Sequence, residues 1–318
     1  MSANACLHLI DPSIQRYNSA SHMSPLWKRL LCGVALFSAV SSEEQTAAHK
    51  LLSPPPDEKS VQVFLTVSDI HDYPATPTQS ELSVFVDKQP AKVDTVRAAK
   101  NDPLQFAVLV DTSKSEASSV ALIKKAALQL FQGLATNGNQ GYLVLFNYSA
   151  ASSRQPLQVS QAQSMLDAAK FEGGTAVYDA IEQTCIRRLS RLGNPDTPRR
   201  VILLISDGED NQSHVPHEVA EEAAEKEGVA VFSLITESLL SGRQGQHFLK
   251  EVSEVTGGRA IGAKNPTDAV APLLTAIESQ WALNFTPAQS LDKKVHSLGV
   301  KTSQKDIRIS APAHISVL

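Results

Sequence analysis

Residues Phe106–Ser115 read FAVLVDTSKS, and this stretch decides the fold. Phe106–Val110 is a continuous apolar run, the pattern of a strand buried on both faces of a parallel sheet. It stops at Asp111-Thr112-Ser113-Lys114-Ser115, where every side chain except Lys114 ends in an oxygen. A buried strand that ends in a cluster of oxygens is the beginning of an α/β ligand site.

Working outward, strands and helices alternate. Val120, Ile123, Ala127, Leu130 and Leu134 recur at helical spacing. Tyr142–Phe146 is a second buried strand, and Gln155–Val159 reads as a short edge strand. Tyr178, Ile181, Cys185, Leu189 and Leu192 mark a helix, and Val201–Ile205 a strand. Val219–Lys226 is a helix, Val229–Leu234 a strand, and Phe248, Leu249, Val252 and Val255 a helix ending at Gly257-Gly258. Arg259–Gly262 is the last strand, and Val270, Leu273, Ile277 and Trp281 lie on a closing helix. The expectation is an α/β domain over 101–284, with a doubly wound, mostly parallel sheet and helices on both faces.

The flanks read differently. In Val61–Asp69 (VQVFLTVSD), Val61, Val63, Leu65 and Val67 alternate with more polar neighbours, the signature of a half-buried strand. After a Pro-containing loop (Tyr73–Thr78), Leu82–Val86, the turn Asp87-Lys88-Gln89-Pro90 and Ala91–Val96 form a hairpin. His296–Thr302 and Ile307–Ser310 alternate again. The N-terminal β region (61–100) and the C-terminal one (285–318) are expected to pair into a small β unit beside the α/β domain.

Composition narrows the function. Of 318 residues, 42% are hydrophobic, which excludes a largely disordered chain. Lys+Arg total 29 against Asp+Glu 33, a net charge of −4, so a nucleic-acid partner is not expected. Three cysteines without a C-x-x-C pair give neither a disulfide framework nor a structural zinc site. Leu30–Val40 (LLCGVALFSAV) follows Lys28 and Arg29 and ends in small residues. That is the layout of a secretory signal peptide, and the run is too short for the roughly 20 residues of a spanning helix. Met23 restarts the pattern cleanly, so 1–42 is read as upstream residues plus signal peptide, with translation starting at Met23. Residues 43–60, with Pro54-Pro55-Pro56, form a tether. The mature chain is expected to be secreted or periplasmic, with no transmembrane anchor and Cys185 as its only thiol.

Two further segments join the first strand's oxygens. Gly173-Gly174-Thr175 precedes a helix, and Ser206-Asp207-Gly208-Glu209-Asp210 follows the strand VILLI. Ligands bind beyond the C-terminal ends of such strands, where strand order reverses. The converging groups are carboxylates and hydroxyls. Two close carboxylates repel unless they are protonated or bridged by a cation, and hard divalent cations take oxygen ligands of this kind.

D-x-S-x-S after the first strand, the G-G-T loop and D-G after the later strand resemble the metal-ion-dependent adhesion site of von Willebrand factor type A (VWA) domains. The N-terminal block, SDGEDNQS, TGGRA and QWALNFTP extend the resemblance to secreted VWA-related proteins described from Acidobacteria. The resemblance implies a metal site of Asp111, Ser113, Ser115, Thr175 and Asp207. In it Ser113 and Ser115 ligate directly, Thr175 directly or through water, and the two aspartates hold coordinated waters. It implies Mg²⁺ (or Mn²⁺ or Ca²⁺) as the ion and a partner's carboxylate in the open position. Two positions depart from the pattern: Lys114 stands where Gly is usual, and Glu116 where an apolar residue is common.

The remaining candidates read as ordinary structure. Glu209 and Asp210 are expected to be solvated loop acids, His214 and His217 exposed loop histidines, and Cys185 a buried, inert thiol. Glu221, Glu222, Glu225 and Glu227 are a solvated helix face. His217-Glu218-Val219-Ala220-Glu221 lacks the second histidine of a zinc protease motif, and no P-loop, G-x-G-x-x-G or G-x-S-x-G is present. The expected function is a non-enzymatic binding protein of the cell envelope that recognises a carboxylate-bearing protein or peptide. A hydrolase using the same metal, with Glu209, Asp210 or His214 as base, and a metal-free scaffold are the alternatives.

Overall fold

The computed structural model describes residues 60–191, 199–236 and 243–316. The expected signal peptide and the expected tether up to residue 59, like Leu192, lie outside the described residues. The chain builds one sheet, leaves it to build a second, and returns to complete the first. Residues 61–98 give β1 (Val61–Asp69), β2 (Leu82–Val86) and β3 (Gln89–Ala98). The excursion comprises β4 (Leu104–Asp111), α1 (Val120–Leu134), β5 (Gln140–Phe146), β6 (Ala150–Ser152), α2 (Val159–Ala168), α3 (Val177–Arg187), β7 (Arg199–Ser206), α4 (His217–Glu227), β8 (Val229–Thr236), α5 (Arg243–Val255), β9 (Arg259–Ala263) and α6 (Val270–Glu278). The return gives β10 (Trp281–Thr286), β11 (Val295–Thr302), β12 (Ile307–Ser310) and β13 (His314–Ser316).

The excursion is a doubly wound α/β unit. Its six-stranded sheet runs β6-β5-β4-β7-β8-β9, parallel except for the antiparallel edge strand β6. Every residue of β4, β7 and β8 is buried, as their apolar runs require. Ile123 and Leu130 of α1, Leu166 of α2 and Leu273 of α6 pack on one face. Ile181 of α3, Ala224 of α4 and Leu249 of α5 pack on the other. From β4 the chain proceeds outward to β5 on one side and later to β7 on the other, so the β4–β7 boundary is the switch point of the sheet.

The flanking strands form an antiparallel seven-stranded sheet, β12-β1-β10-β3-β2-β11-β13, larger than the small unit expected. Its core is Val63, Leu65, Val84, Val86, Leu283 and Phe285, all facing one side. The β2–β3 turn is tighter than read: Asp87 and Lys88 take φ of 49° and 66°, and Gln89 and Pro90 already pair with Val86 and Phe85.

Two elements differ from the sequence reading. Gln155–Val159 is not the edge strand; Ala150–Ser152 pairs with β5, and Val159 opens α2. The Gln161 side chain accepts the Gln158 backbone N–H at 2.8 Å, which fixes the start of that helix. Trp281 is not on the closing helix. That helix ends at Glu278, and Trp281 begins β10, opposite Leu65 on one side and Ala98 on the other. Residues 281–284 therefore belong to the antiparallel sheet.

The two passages between the sheets meet at one arginine. The Ala99 N–H donates to the Gln280 carbonyl at 2.8 Å. Arg199, 3% exposed, donates to the carbonyls of Ala99 (3.0 Å) and Ile277 (2.7 Å) and to Gln280 Oε1 (3.2 Å).

Candidate metal centre

β4 ends at Asp111 and β7 at Ser206, adjacent strands flanking the switch point. Asp111 and Asp207 are therefore delivered side by side at the C-terminal edge of the sheet, each 0% exposed. Three loops lock around them. The Thr112 N–H and hydroxyl both reach the Phe146 carbonyl at the end of β5 (2.8 and 2.9 Å). The Glu172 N–H donates to the Thr112 carbonyl at 2.8 Å, and the Lys114 N–H to that of Gly173 at 3.1 Å. These bonds lay the G-G-T loop on the first loop. Thr175 is then tied to the third: its N–H reaches Asn211 Oδ1 at 3.0 Å, and its carbonyl accepts the N–H groups of Asn211 and Gln212.

Gly208 has φ +81° and lies against Gly245 of α5; an added Cβ would sit 2.2 Å from the Gly245 carbonyl oxygen. Only glycine allows the turn after Asp207 to approach that helix so closely.

Around the carboxylates the polar groups are specific. Asp111 accepts the Ser113 N–H at 2.9 Å through one oxygen and the Ser206 hydroxyl at 2.6 Å through the other. The Ser206 hydroxyl in turn accepts the Gly208 N–H at 2.9 Å. Ser113 and Ser115 place their hydroxyl oxygens 3.0 Å apart. Asp207 accepts the Glu209 N–H at 3.1 Å. Thr175 is buried and enters the cluster through its backbone ties.

A third carboxylate completes the group. Lys114–Ser119 is a turn of 3-10 helix, and it rotates Glu116 inward to 2% exposure. Asp111, Glu116 and Asp207 each offer a carboxylate oxygen within 4.8 Å of the others. The Thr236 hydroxyl, at the end of β8, donates to Glu116. Burial pushes the Asp111 carboxyl up to about 6, against its bonds from Ser113 and Ser206. Burial pushes Glu116 up to about 8, and the charges of Asp111 and Asp207 add to it. Three carboxyls so close hold protons or a cation between them. An all-oxygen donor set of buried carboxylates and adjacent serine hydroxyls fits a hard divalent cation.

The structure thus brings Asp111 and Asp207 together and sets Ser113, Ser115 and Thr175 in the loops around them. It adds Glu116, Ser206 and Thr236, none of which sequence reasoning selected. Ser206 could have been found as a hydroxyl at the end of a fully buried strand. Glu116 stood out only as a departure from the motif. Among the other candidates, Asp210 is half-buried and accepts from the Tyr178 N–H and from Ser213, so it is only partly solvated. The exposed His214 ring is oriented by Asp179 at 2.8 Å. His217 packs with Tyr178 and Phe248. Cys185 is fully buried, and burial pushes its thiol up. The glutamate face of α4 is only partly solvated: Glu225 bonds His314 at 2.9 Å and Glu227 accepts the Arg191 N–H at 2.7 Å.

No characterised protein sequence matches the chain significantly. Among solved structures, a von Willebrand factor type A protein from Catenulispora acidiphila is similar over 82% of this chain and 75% of its own, at 11% identity and TM-score 0.47. An aerotolerance-related membrane protein from Bacteroides fragilis is similar over 55% of this chain and 98% of its own, at 17% identity and TM-score 0.44. Proximal thread matrix protein 1 from the mussel byssus, solved with a zinc-occupied MIDAS motif, is similar over 61% of this chain and 49% of its own, at 15% identity and TM-score 0.47. The von Willebrand factor type A domain family matches residues 106–270, just over half of the chain. The chain belongs to the von Willebrand factor type A domain family.

Proposed function

We propose that this protein is a non-enzymatic binding protein, secreted or held in the cell envelope, that captures a carboxylate-bearing protein or peptide through a divalent cation. The observation that carries this reading is the meeting of Asp111, Glu116 and Asp207 at the switch point of a VWA sheet. The cation would be held by Asp111, Ser113, Ser115, Thr175 and Asp207, with Mg²⁺, Mn²⁺ and Ca²⁺ all hard enough for the donors. A bound cation supplies a Lewis-acidic position at which an incoming carboxylate can coordinate. The chain's own residues do the rest. Ser206 and the Ser113 N–H orient Asp111, while the interlocked loops hold the serines at the sheet edge. Lys114, exposed beside them, offers a positive charge to the partner's acid. Among the described residues, no helix is long and apolar enough to cross a membrane.

The test is a pull-down from envelope extracts with and without EDTA, using the full chain and its Asp111→Ala variant. Chelation and the substitution should each abolish capture, and capture that survives both refutes the mechanism. The metal-free scaffold makes a different forecast: titration calorimetry with Mg²⁺, Mn²⁺ and Ca²⁺ would give no heat of binding.

A further inference from the structure

We propose that Glu116 is a third carboxylate ligand of the cation site and that it turns the site's preference from Mg²⁺ toward Ca²⁺. The proposal rests on the cation-site reading above and goes beyond it, because it names the ion and the residue that selects it.

Three observations support it. Glu116 is 2% exposed although it lies in a short surface turn whose neighbours Ala117 and Ser118 are exposed. An apolar side chain would fill that position without placing a third acid beside two others. Its carboxylate comes within 4.8 Å of those of Asp111 and Asp207. It is also aimed: the Thr236 hydroxyl, projecting from the end of β8, holds one of its oxygens. Asp111, Glu116 and Asp207 thus approach from the ends of β4, the following turn and β7, with β8 bracing the third.

The chemistry of the two ions then separates them. Mg²⁺ requires a small, near-octahedral shell, gives up water reluctantly, and is usually held by one or two carboxylates. Ca²⁺ accepts about six to eight oxygens at longer and more variable distances, including bidentate carboxylates. Without Glu116 the donors are two carboxylates and the hydroxyls of Ser113, Ser115 and Thr175, a set that leaves room for waters. Glu116 adds a third anionic carboxylate to that set, within 4.8 Å of the other two. Three carboxylates exceed the one or two that usually hold Mg²⁺ and suit the larger oxygen shell of Ca²⁺.

The experiment is isothermal titration of the full, chelator-stripped chain with CaCl₂ and, separately, MgCl₂. It is repeated on Glu116→Gln, which keeps the shape and removes the charge, and on Asp111→Asn. We expect Ca²⁺ to bind the unaltered chain at least about tenfold more tightly than Mg²⁺. Glu116→Gln should lower Ca²⁺ affinity about tenfold or more and Mg²⁺ affinity much less, erasing the preference. Asp111→Asn should remove both heats. Equal affinities in the unaltered chain, or a Ca²⁺ to Mg²⁺ ratio unchanged by Glu116→Gln, overturn the role of Glu116 while leaving a cation site standing. Absence of binding by either ion, or heats that persist in Asp111→Asn, overturns the cation-site reading itself. Should Glu116→Gln fail to fold by circular dichroism, the melting temperature of the unaltered chain under equal Ca²⁺ and Mg²⁺ decides the preference, and a larger rise with Mg²⁺ overturns the proposal.

Discussion

The two sheets of this molecule handle polar groups in opposite ways. In the parallel sheet, helices cover both faces, so β4, β7 and β8 carry no exposed residue and their charged side chains are confined to the strand ends. There the acids are concentrated: Asp111, Glu116 and Asp207 are buried together. In the antiparallel sheet one face is open, and the burial of β2 alternates. Its charges are spread as separate pairs such as Lys92–Asp94, on β3, and the exposed Lys294–Asp292, before β11. A sheet covered on both faces collects its acids into a site, whereas a sheet with one wet face disperses them into solvent.

If this contrast is right, the two sheets should differ most in what a core truncation costs. Phe232, fully buried in β8, has side chains from both neighbouring strands and the covering helices around it. Phe232→Ala should cost about 3–5 kcal/mol. Val84→Ala, on the single covered face of β2, should cost about 2 kcal/mol. Urea unfolding followed by circular dichroism measures both. Equal losses would break the comparison.

The joint between the sheets comes next. Arg199 serves the carbonyls of Ala99 and Ile277 and the Gln280 side chain at the point where the chain passes between them. Arg199→Met keeps much of the packing volume but leaves those buried acceptors unserved, at a cost of about 3 kcal/mol. If the joint couples the sheets, the unfolding transition should also broaden or split. A sharp transition shifted by less than about 1 kcal/mol would make Arg199 incidental.

Ligand linkage separates the sheets a third way. A cation at 100 times its dissociation constant stabilises the folded state by about 2.7 kcal/mol, which for a domain of this size raises the melting temperature by roughly 5–10 °C. The gain should vanish in Asp111→Asn. It should survive Asp94→Asn, since Asp94 belongs to β3 of the antiparallel sheet, where it bonds Thr286 at 2.7 Å. Differential scanning fluorimetry with and without EDTA reads both.

Much of this was legible in the sequence, and for physical reasons. Buried parallel strands announce themselves as unbroken apolar runs, so FAVLV, YLVLF and VILLI were placed within a residue or two. Asp111 and Asp207 were legible because they terminate such runs. Glu116 was not, because a 3-10 turn decides which way it faces, and nothing local distinguishes an inward glutamate from a solvated one. Glu225 was misread for a related reason: its partner, His314, comes from a strand 89 residues further on. Trp281 lies four residues beyond Ile277 and so extended the helical period past the true end of α6; pairing with Leu65 and Ala98 overrode it. The edge strand was misplaced because β6 has three residues, too few to show a period.

The smallest effect tests the dispersed side of the comparison. His296 in β11 sits between two acids, its Nδ1 at 2.7 Å from Asp87 and its Nε2 at 3.3 Å from Asp292. The hydrogen bond to Asp87 raises the His296 pKa above its ordinary 6.5. The same bond, with the Ser297 N–H, holds Asp87 below its ordinary 3.8. The histidine's contribution is therefore complete below 6.5 and is lost as pH rises through its raised folded value. The aspartate's is present above 3.8 and is lost as pH falls through its lowered one. Between those limits the clamp from the β2–β3 turn to β11 is intact. An NMR titration of the His296 ring should show a midpoint above 6.5, and Asp87→Asn should bring it down. Because the Asp87 carboxylate is exposed to solvent, raising the salt concentration should shrink the difference between the two midpoints. A difference that resists salt would mean that this pair is as shielded from solvent as the acids around Asp111, and the contrast between the two sheets would fail at that point.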